Sequence, residues 1–149
     1  MRAVIQRVDR AGVRINSQLF SAIDRGLLVL LGVEKDDSET DADYILDKTV
    51  NLRIFEDEQD KMNLSLIDIS GEMLVVSQFT LLGDCVKGRR PSFVRAEKPA
   101  RANQLYEYFV SQAAPKVKKL ATGKFQEMMQ IELINNGPVT ILLDSRKTF

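Results

Sequence analysis

Two short apolar runs constrain the fold more than any other feature of this sequence. Gly26–Val33 (GLLVLLGV) is a near-continuous apolar run, and Glu72–Phe79 (EMLVVSQF) has five large apolar residues, four of them consecutive. Both are far shorter than the ~18 consecutive apolar residues that a membrane-spanning helix needs. Runs of this length without polar alternation are typical of strands that are buried on both faces. The sequence therefore predicts a covered central sheet, and its 149 residues fit a single domain over positions 1–149.

Two segments with helical periodicity can supply that cover. Asp41–Leu52 and the stretch between Pro99 and Pro115 carry apolar residues three and four positions apart, as amphipathic helices do. Ser38 and Thr40 are candidate N-caps of the first helix. Pro99 suits the first turn of the second helix, where its missing N–H costs nothing. The sequence thus predicts two main helices packed on the sheet.

The remaining segments predict further strands and loops. Ala3–Ile15 is rich in Val and Ile and favours a strand or a hairpin. Met128–Ile134 and Val139–Leu143 favour two closing strands, joined by a hairpin turn at 136–138 (Asn-Gly-Pro). Glu56–Asn63 reads as a charged loop. The order β-β-β-α-β-α-β-β predicts an α/β domain with mixed sheets.

Composition excludes several kinds of active site. The chain has no histidine, so Ser-His-Asp and Cys-His catalysis and histidine metal sites are excluded. Its only cysteine, Cys85, permits neither an intrachain disulfide nor a cysteine cluster. The acidic pair Asp36–Asp37 precedes a helix, where negative charge is favourable, so it does not indicate a metal site. No glycine-rich phosphate loop is present either, and we expect no metal and no cofactor. Met1–Arg7 lacks the apolar core of a signal peptide, and we expect a cytoplasmic protein.

The end of the second apolar run is the main candidate for chemistry. Ser77, Gln78, Phe79 and Thr80 lie where a buried strand gives way to a loop. Their backbone N–H groups can stabilise an oxyanion without titrating, although strand-end hydroxyls more often only bond to backbone. A Ser or Thr nucleophile also needs a base, and the sequence offers no imidazole. An apolar cluster nearer the C-terminus reads by default as core: Phe125, Met128 and Met129.

Charge is balanced overall but unevenly distributed. Lys and Arg total 21, as do Asp and Glu, yet acidic residues dominate from Glu34 to Asp60. Basic residues are frequent in the predicted loop Leu82–Lys98 and include Lys87, Arg89, Arg90 and Lys98. Such a stretch is either a solvated surface or a rim that binds phosphates. Composition alone leaves both readings open.

Several motifs together resemble one family, the D-aminoacyl-tRNA deacylases. The resemblance runs from Met1 to about Leu143, and its most specific parts are VVSQFTL and NGPVTILLD. The matching segments are IQRV (5–8), GLLVLLGVEKDD (26–37), RIFEDEQDKMNLS (53–65), VVSQFTL (75–81), GRRPSF (88–93) and NGPVTILLD (136–144). The resemblance implies a three-layer α/β/β fold, a homodimer with its active site at the subunit interface, and hydrolysis of D-aminoacyl-tRNA and of mischarged glycyl-tRNA.

The resemblance also implies residue roles. Gly137 and Pro138 match the family's Gly-cisPro motif, which enters the partner's pocket and leaves no room for an L side chain. Ser77–Thr80 matches the opposite wall, where backbone N–H groups hold the oxyanion while the 2′-hydroxyl of the tRNA helps to activate water. Arg7 would steady the Gly-Pro segment and Met129 would line the pocket. The tRNA contacts would come from Lys87, Arg89, Arg90 and Lys98.

Two positions depart from the family pattern, and two other functions compete with it. Asn136 stands where the family usually has Asp, and Gln126–Glu127 stands where many members have small residues. One alternative function is a non-catalytic RNA-binding module that keeps the fold. The other is a serine or threonine esterase acting on small molecules, for which the sequence shows no general base.

Overall fold

The first strand organises the whole molecule. A computed structural model describes residues 1–149, and β1 spans Arg2–Ile15. On one side β1 pairs antiparallel with β3 (Gly26–Gly32) through its first half and with β2 (Gln18–Ile23) through its second half. The last strand, β8 (Gln130–Asp144), pairs antiparallel with β1 along nearly its full length. Ala3–Ile15 is therefore confirmed as strand, without an internal hairpin.

The two apolar runs form the centre of the sheet. β6 (Glu72–Ser77) pairs parallel with β3, and both strands are almost wholly buried, as their composition predicts. A further short strand, β7 (Lys119–Thr122), pairs parallel with β6. The sequence did not predict β7, because only one of its four residues is buried. In the main sheet, β6 thus lies between β3 and β7, and β8 lies on the side of β1 opposite to β2 and β3.

Two helices cover one face of this sheet. α1 spans Glu39–Asn51 and α2 spans Pro99–Ala113, and they enclose the larger core with residues such as Ile45 and Phe109. Ser38 is confirmed as the N-cap of α1 because its backbone N–H donates to Asp41 Oδ2 at 2.9 Å. Thr40 is not a cap, since α1 begins one residue before it.

A second core lies between layers of strands. Val8 and Val13 of β1 pack with Leu28, Leu74 and Val76, and all five are buried. Side chains of β1 therefore contribute to both cores. β2 contacts β6 and β7, which are not its neighbours in the sheet, and Ser21 Oγ of β2 donates to Thr122 O of β7 at 2.7 Å. The sheet therefore folds back over the second core, which gives one layer of helices and two of strands.

Two expectations about local structure are wrong. The two predicted closing strands are halves of one strand, β8, and positions 136–138 form an irregularity in its pairing with β1 instead of a hairpin turn. The predicted loop Glu56–Asn63 includes parts of a small hairpin, in which β4 (Phe55–Glu56) pairs antiparallel with β5 (Met62–Leu64). No helix is both long enough and apolar enough to cross a membrane.

Candidate active site

The strand β6 ends at a large cavity. Its volume is about 700 Å³, and most of its lining residues are hydrophobic. Three of the four residues predicted as catalytic line it, namely Ser77, Gln78 and Phe79. β6 is held on both sides by parallel strands, so the position of this wall is fixed by the sheet. The site therefore lies at the carboxyl ends of the parallel strands, where sheets of this kind commonly bind ligands.

The chain turns sharply just after β6. Residues Phe79–Leu82 form a short 3-10 turn whose preceding residue, Gln78, donates its backbone N–H to Leu31 O at 2.8 Å. The first N–H groups of such a turn have no acceptor within it. The Thr80 hydroxyl is exposed and accepts a short hydrogen bond from the Gln78 side-chain amide. No carboxylate or amine contacts Thr80 Oγ1, so nothing is placed to deprotonate it.

The opposite wall comes from the segment before β8. Met129 lines the cavity, and its sulfur accepts a hydrogen bond from the Lys124 backbone N–H at 3.3 Å. Phe125 is half-buried, whereas Met128 is 89% exposed at the rim. The expectation that this cluster is ordinary core is therefore wrong for Met128. Exposure follows from the loop path, which the apolar character of the residues does not reveal.

The loop Leu82–Lys98, called the basic loop below, supplies a third wall of the cavity that the sequence did not predict. Phe93 and Glu97 line the cavity, and the Phe93 ring meets the Phe79 ring edge-to-face with centroids 5.1 Å apart. The loop is anchored beyond Phe93 because Arg95 Nη2 pairs with the buried Glu34 carboxylate at 2.6 Å. Phe93 belongs to the GRRPSF motif, which was the only sequence signal for this wall.

The predicted tRNA-contacting cations lie on this same loop and at the start of α2. All four are exposed, and none is paired with a carboxylate: Lys87, Arg89, Arg90 and Lys98. By contrast, Arg7, Arg95 and Arg146 all form ion pairs. These four unpaired cations are therefore free to meet an anion.

The Gly-Pro segment does not belong to the cavity of its own chain. The Gly137–Pro138 peptide bond is cis, and both residues are exposed on β8. From β8 to β6 the sheet crosses three strand spacings, through β1 and β3, and Gly137 and Ser77 are also displaced from each other along the strands. The two residues are therefore of the order of 20 Å apart. The sequence-predicted site is therefore split into two parts that one chain does not bring together.

Arg7 holds the Gly137–Pro138 segment, which is the second part of the predicted site. Its Nε donates to Asn136 O at 3.1 Å and its Nη2 to Asn136 Oδ1 at 3.0 Å. A Cβ added to Gly137 would lie 2.9 Å from Arg7 Nη2 and 2.8 Å from Val139 Cγ2, and the φ of +119° at Gly137 also disfavours a side chain. Glycine is therefore required where the guanidinium packs against the backbone.

Comparisons with known proteins agree with these features. Residues 4–144 match the family model described as D-Tyr-tRNA(Tyr) deacylase. A protein named D-aminoacyl-tRNA deacylase from Syntrophus aciditrophicus (strain SB) is 60% identical over 149 residues, with all of both chains covered. A protein of the same name from Clostridioides difficile (strain 630) is also 60% identical, again over all of both chains.

Two solved structures share the fold. One, titled c-Myc DNA Unwinding Element Binding Protein, is 40% identical with a TM-score of 0.92, covering 97% of this chain and 98% of that one. The other, a probable eukaryotic D-amino acid tRNA deacylase, is 17% identical with a TM-score of 0.79, covering 95% of this chain and 97% of that one. The second shows likeness of fold alone. On the match over residues 4–144 and the full-length identities, the chain belongs to the D-Tyr-tRNA(Tyr) deacylase family.

Proposed function

We propose that this protein hydrolyses the ester that joins a D-amino acid to the terminal ribose of tRNA. The observation that carries the proposal is the cavity at the end of β6, lined by Ser77, Gln78 and Phe79, in a chain 60% identical to proteins named for this activity. The products are a free D-amino acid and tRNA. Because the substrate is an aminoacyl-tRNA, we place the protein in the cytoplasm. The activity belongs to one domain over residues 1–149.

Two copies of the chain form the complete site in this proposal. Gly137 and Pro138 are exposed and lie far from their own cavity, so they are available to a partner. β8, which carries them, pairs only with β1 and leaves its other edge free over 15 residues. A long unprotected edge is normally covered, and a second copy of the chain covers it here. The Gly137–Pro138 carbonyls of one subunit then meet the substrate's α-amino group in the other.

Selection between mirror-image substrates follows from rigid backbone. With Gly137–Pro138 fixed against the α-carbon, a D side chain points away from the wall and an L side chain collides with it. Glycine has no side chain to collide, so glycyl-tRNA charged on tRNA(Ala) is also a substrate. Met129 bounds the pocket on the other side, and the Lys124–Glu127 pair at 2.9 Å shapes its rim.

The chemistry needs no side-chain base. Backbone N–H groups at Phe79 and Thr80 donate to the oxygen that becomes negative when water attacks the ester carbonyl. The tRNA's own 2′-hydroxyl accepts a proton from that water and passes its own proton to the ribose 3′-oxygen. The carbon–oxygen bond to the ribose 3′-oxygen then breaks, and that oxygen leaves with a proton. This scheme agrees with an exposed Thr80 hydroxyl that contacts only an amide.

Hydrolysis of matched D- and L-tyrosyl-tRNA by the purified protein tests the proposal. We expect rapid loss of the D ester and little loss of the L ester, with a dimer by sedimentation. Gly137→Ala should abolish the difference between the two esters. Equal hydrolysis of both by the unaltered protein would indicate an unselective esterase. If neither ester is hydrolysed while tRNA still binds, the protein is an RNA-binding module.

A further inference from the structure

The buried guanidinium of Arg7 is held from two sides. One side is Asn136, which accepts from Nε and Nη2 as described above. The other side is the start of the β4–β5 hairpin, where Nη1 donates to Ile54 O and to Glu56 Oε1, each at 2.6 Å. Arg7 thus bridges the Gly137–Pro138 segment and a hairpin with no assigned role.

Glu56 is the only carboxylate that pairs with Arg7. The Arg7 side chain is 5% exposed, and a buried cation without a partner is costly. A small charged cavity of about 280 Å³ lies beside the pair, lined also by Asp9 and Arg25. Asp9 accepts from the Asn136 amide and does not contact the guanidinium. Arg25 points over the Phe55 ring at 5.8 Å. Glu56 is therefore the only carboxylate in direct contact with the Arg7 guanidinium.

The hairpin is built to hold Glu56 in place. Phe55, the residue before it, is 1% exposed and anchors β4 in the larger core. The Asp57 carboxylate, the residue after it, accepts the backbone N–H groups of Gln59 and Lys61 and the Asn63 amide. The backbone position of Glu56 is therefore fixed by the contacts of the residues on either side of it.

We propose that Glu56 is a positioning residue for selection between D and L substrates. It fixes the Arg7 guanidinium, which in turn fixes Asn136 and packs against Gly137. The proposal rests on the proposed function, because it assigns Gly137–Pro138 the task of excluding L side chains. Without the Glu56 charge, Arg7 keeps only neutral acceptors on this side, and the wall beyond it loosens.

The test compares Glu56→Gln with Glu58→Gln in the same hairpin. Glu58 accepts no hydrogen bond and forms no ion pair, so it is a matched control. The readout is the ratio of kcat/KM for D-tyrosyl-tRNA to that for L-tyrosyl-tRNA. For Glu56→Gln we expect this ratio to fall about tenfold, because a charge-assisted bond becomes a neutral one. The urea midpoint of unfolding should also fall, because the buried Arg7 loses its only charged partner, whereas the KM for D-tyrosyl-tRNA should stay near its unaltered value.

The outcomes separate this inference from the proposed function. An unchanged ratio in Glu56→Gln overturns the inference, while a D-selective unaltered protein still supports the function. An equal fall in Glu58→Gln also overturns it, because the effect would then belong to the hairpin in general. If Glu56→Gln does not fold, Glu56→Asp provides the test, since it keeps the charge but shortens the reach to Arg7. A fall in the ratio for Glu56→Asp, even one of less than about tenfold, supports the inference. An unchanged ratio overturns it.

Discussion

The Asn136 side-chain amide donates to Asp9 Oδ1 at 2.7 Å, while its oxygen accepts from Arg7 Nη2 at 3.0 Å. One side chain thus joins a cation and an anion that do not contact each other. An ionised carboxylate could not serve both, because it has no proton to donate to Asp9. Asn136 is therefore matched to the neighbouring Asp9.

This relationship predicts the effect of Asn136→Asp. The substitution replaces a hydrogen bond to Asp9 with repulsion between two carboxylates at a partly exposed site. The new carboxylate beside Arg7 is common to both backgrounds, so we expect Asn136→Asp to lower the free energy of unfolding at pH 7 by about 1 kcal/mol more with Asp9 present than in an Asp9→Asn background. Urea unfolding of the two single variants and the double variant measures this difference. Additive effects of the two substitutions would contradict the assigned contact.

The same region shows how far sequence reasoning reaches. The apolar runs specified β3 and β6 because burial on both faces leaves a direct mark on composition. Asn136–Pro138 carries strong turn signals, yet β8 continues through it because both halves pair with β1, a contact between distant parts of the chain. Likewise, no local pattern shows that Glu34 pairs with Arg95 and so brings Phe93 to the cavity. The cavity wall at the end of β6 was therefore predictable from the sequence. The wall formed by Phe93 and the contact between Glu56 and Arg7 were not.

Thr80→Ala should retain substantial activity on D-tyrosyl-tRNA. The hydroxyl is exposed, contacts only the Gln78 amide, and has no base beside it. We expect kcat to fall by less than about tenfold, since a nucleophile or general base contributes far more than that. Single-turnover hydrolysis measures the chemical step directly. Near-complete loss of that step in a folded protein would instead identify Thr80 as the nucleophile.

The unpaired cations of the basic loop should control the salt dependence of tRNA binding. Each of Lys87 and Arg89 that contacts a phosphate should contribute about one unit to the log–log slope of affinity against salt concentration. Lys87→Ala and Arg89→Ala are therefore each expected to reduce the magnitude of this slope by about one unit, measured in titrations of tRNA that carries no amino acid. Lys61→Ala, on the distant β4–β5 hairpin, is the control and should leave the slope unchanged. An unchanged slope in the first two variants would remove these residues from the tRNA interface.

The β4–β5 hairpin should lose stability in acid through Asp57. Hydrogen bonds from the backbone N–H groups of Lys61 and Gln59, followed by the Asn63 amide, hold the pKa of the Asp57 carboxyl below its ordinary value of 3.8. A carboxyl whose pKa is lower in the folded state stabilises the protein above the unfolded pKa. That contribution disappears as the pH falls through the folded value.

Comparison of Asp57→Asn with the unaltered protein measures this contribution. We expect the variant to be less stable at pH 7, and the difference in unfolding free energy to shrink below about pH 4. Glu58→Gln, which removes a neighbouring carboxylate that accepts no hydrogen bond, should follow the unaltered protein throughout. A difference that stays constant down to about pH 2.5 would show that Asp57 acts through shape instead of charge. A shrinking difference would link acid stability to the hairpin that presents Glu56 to Arg7.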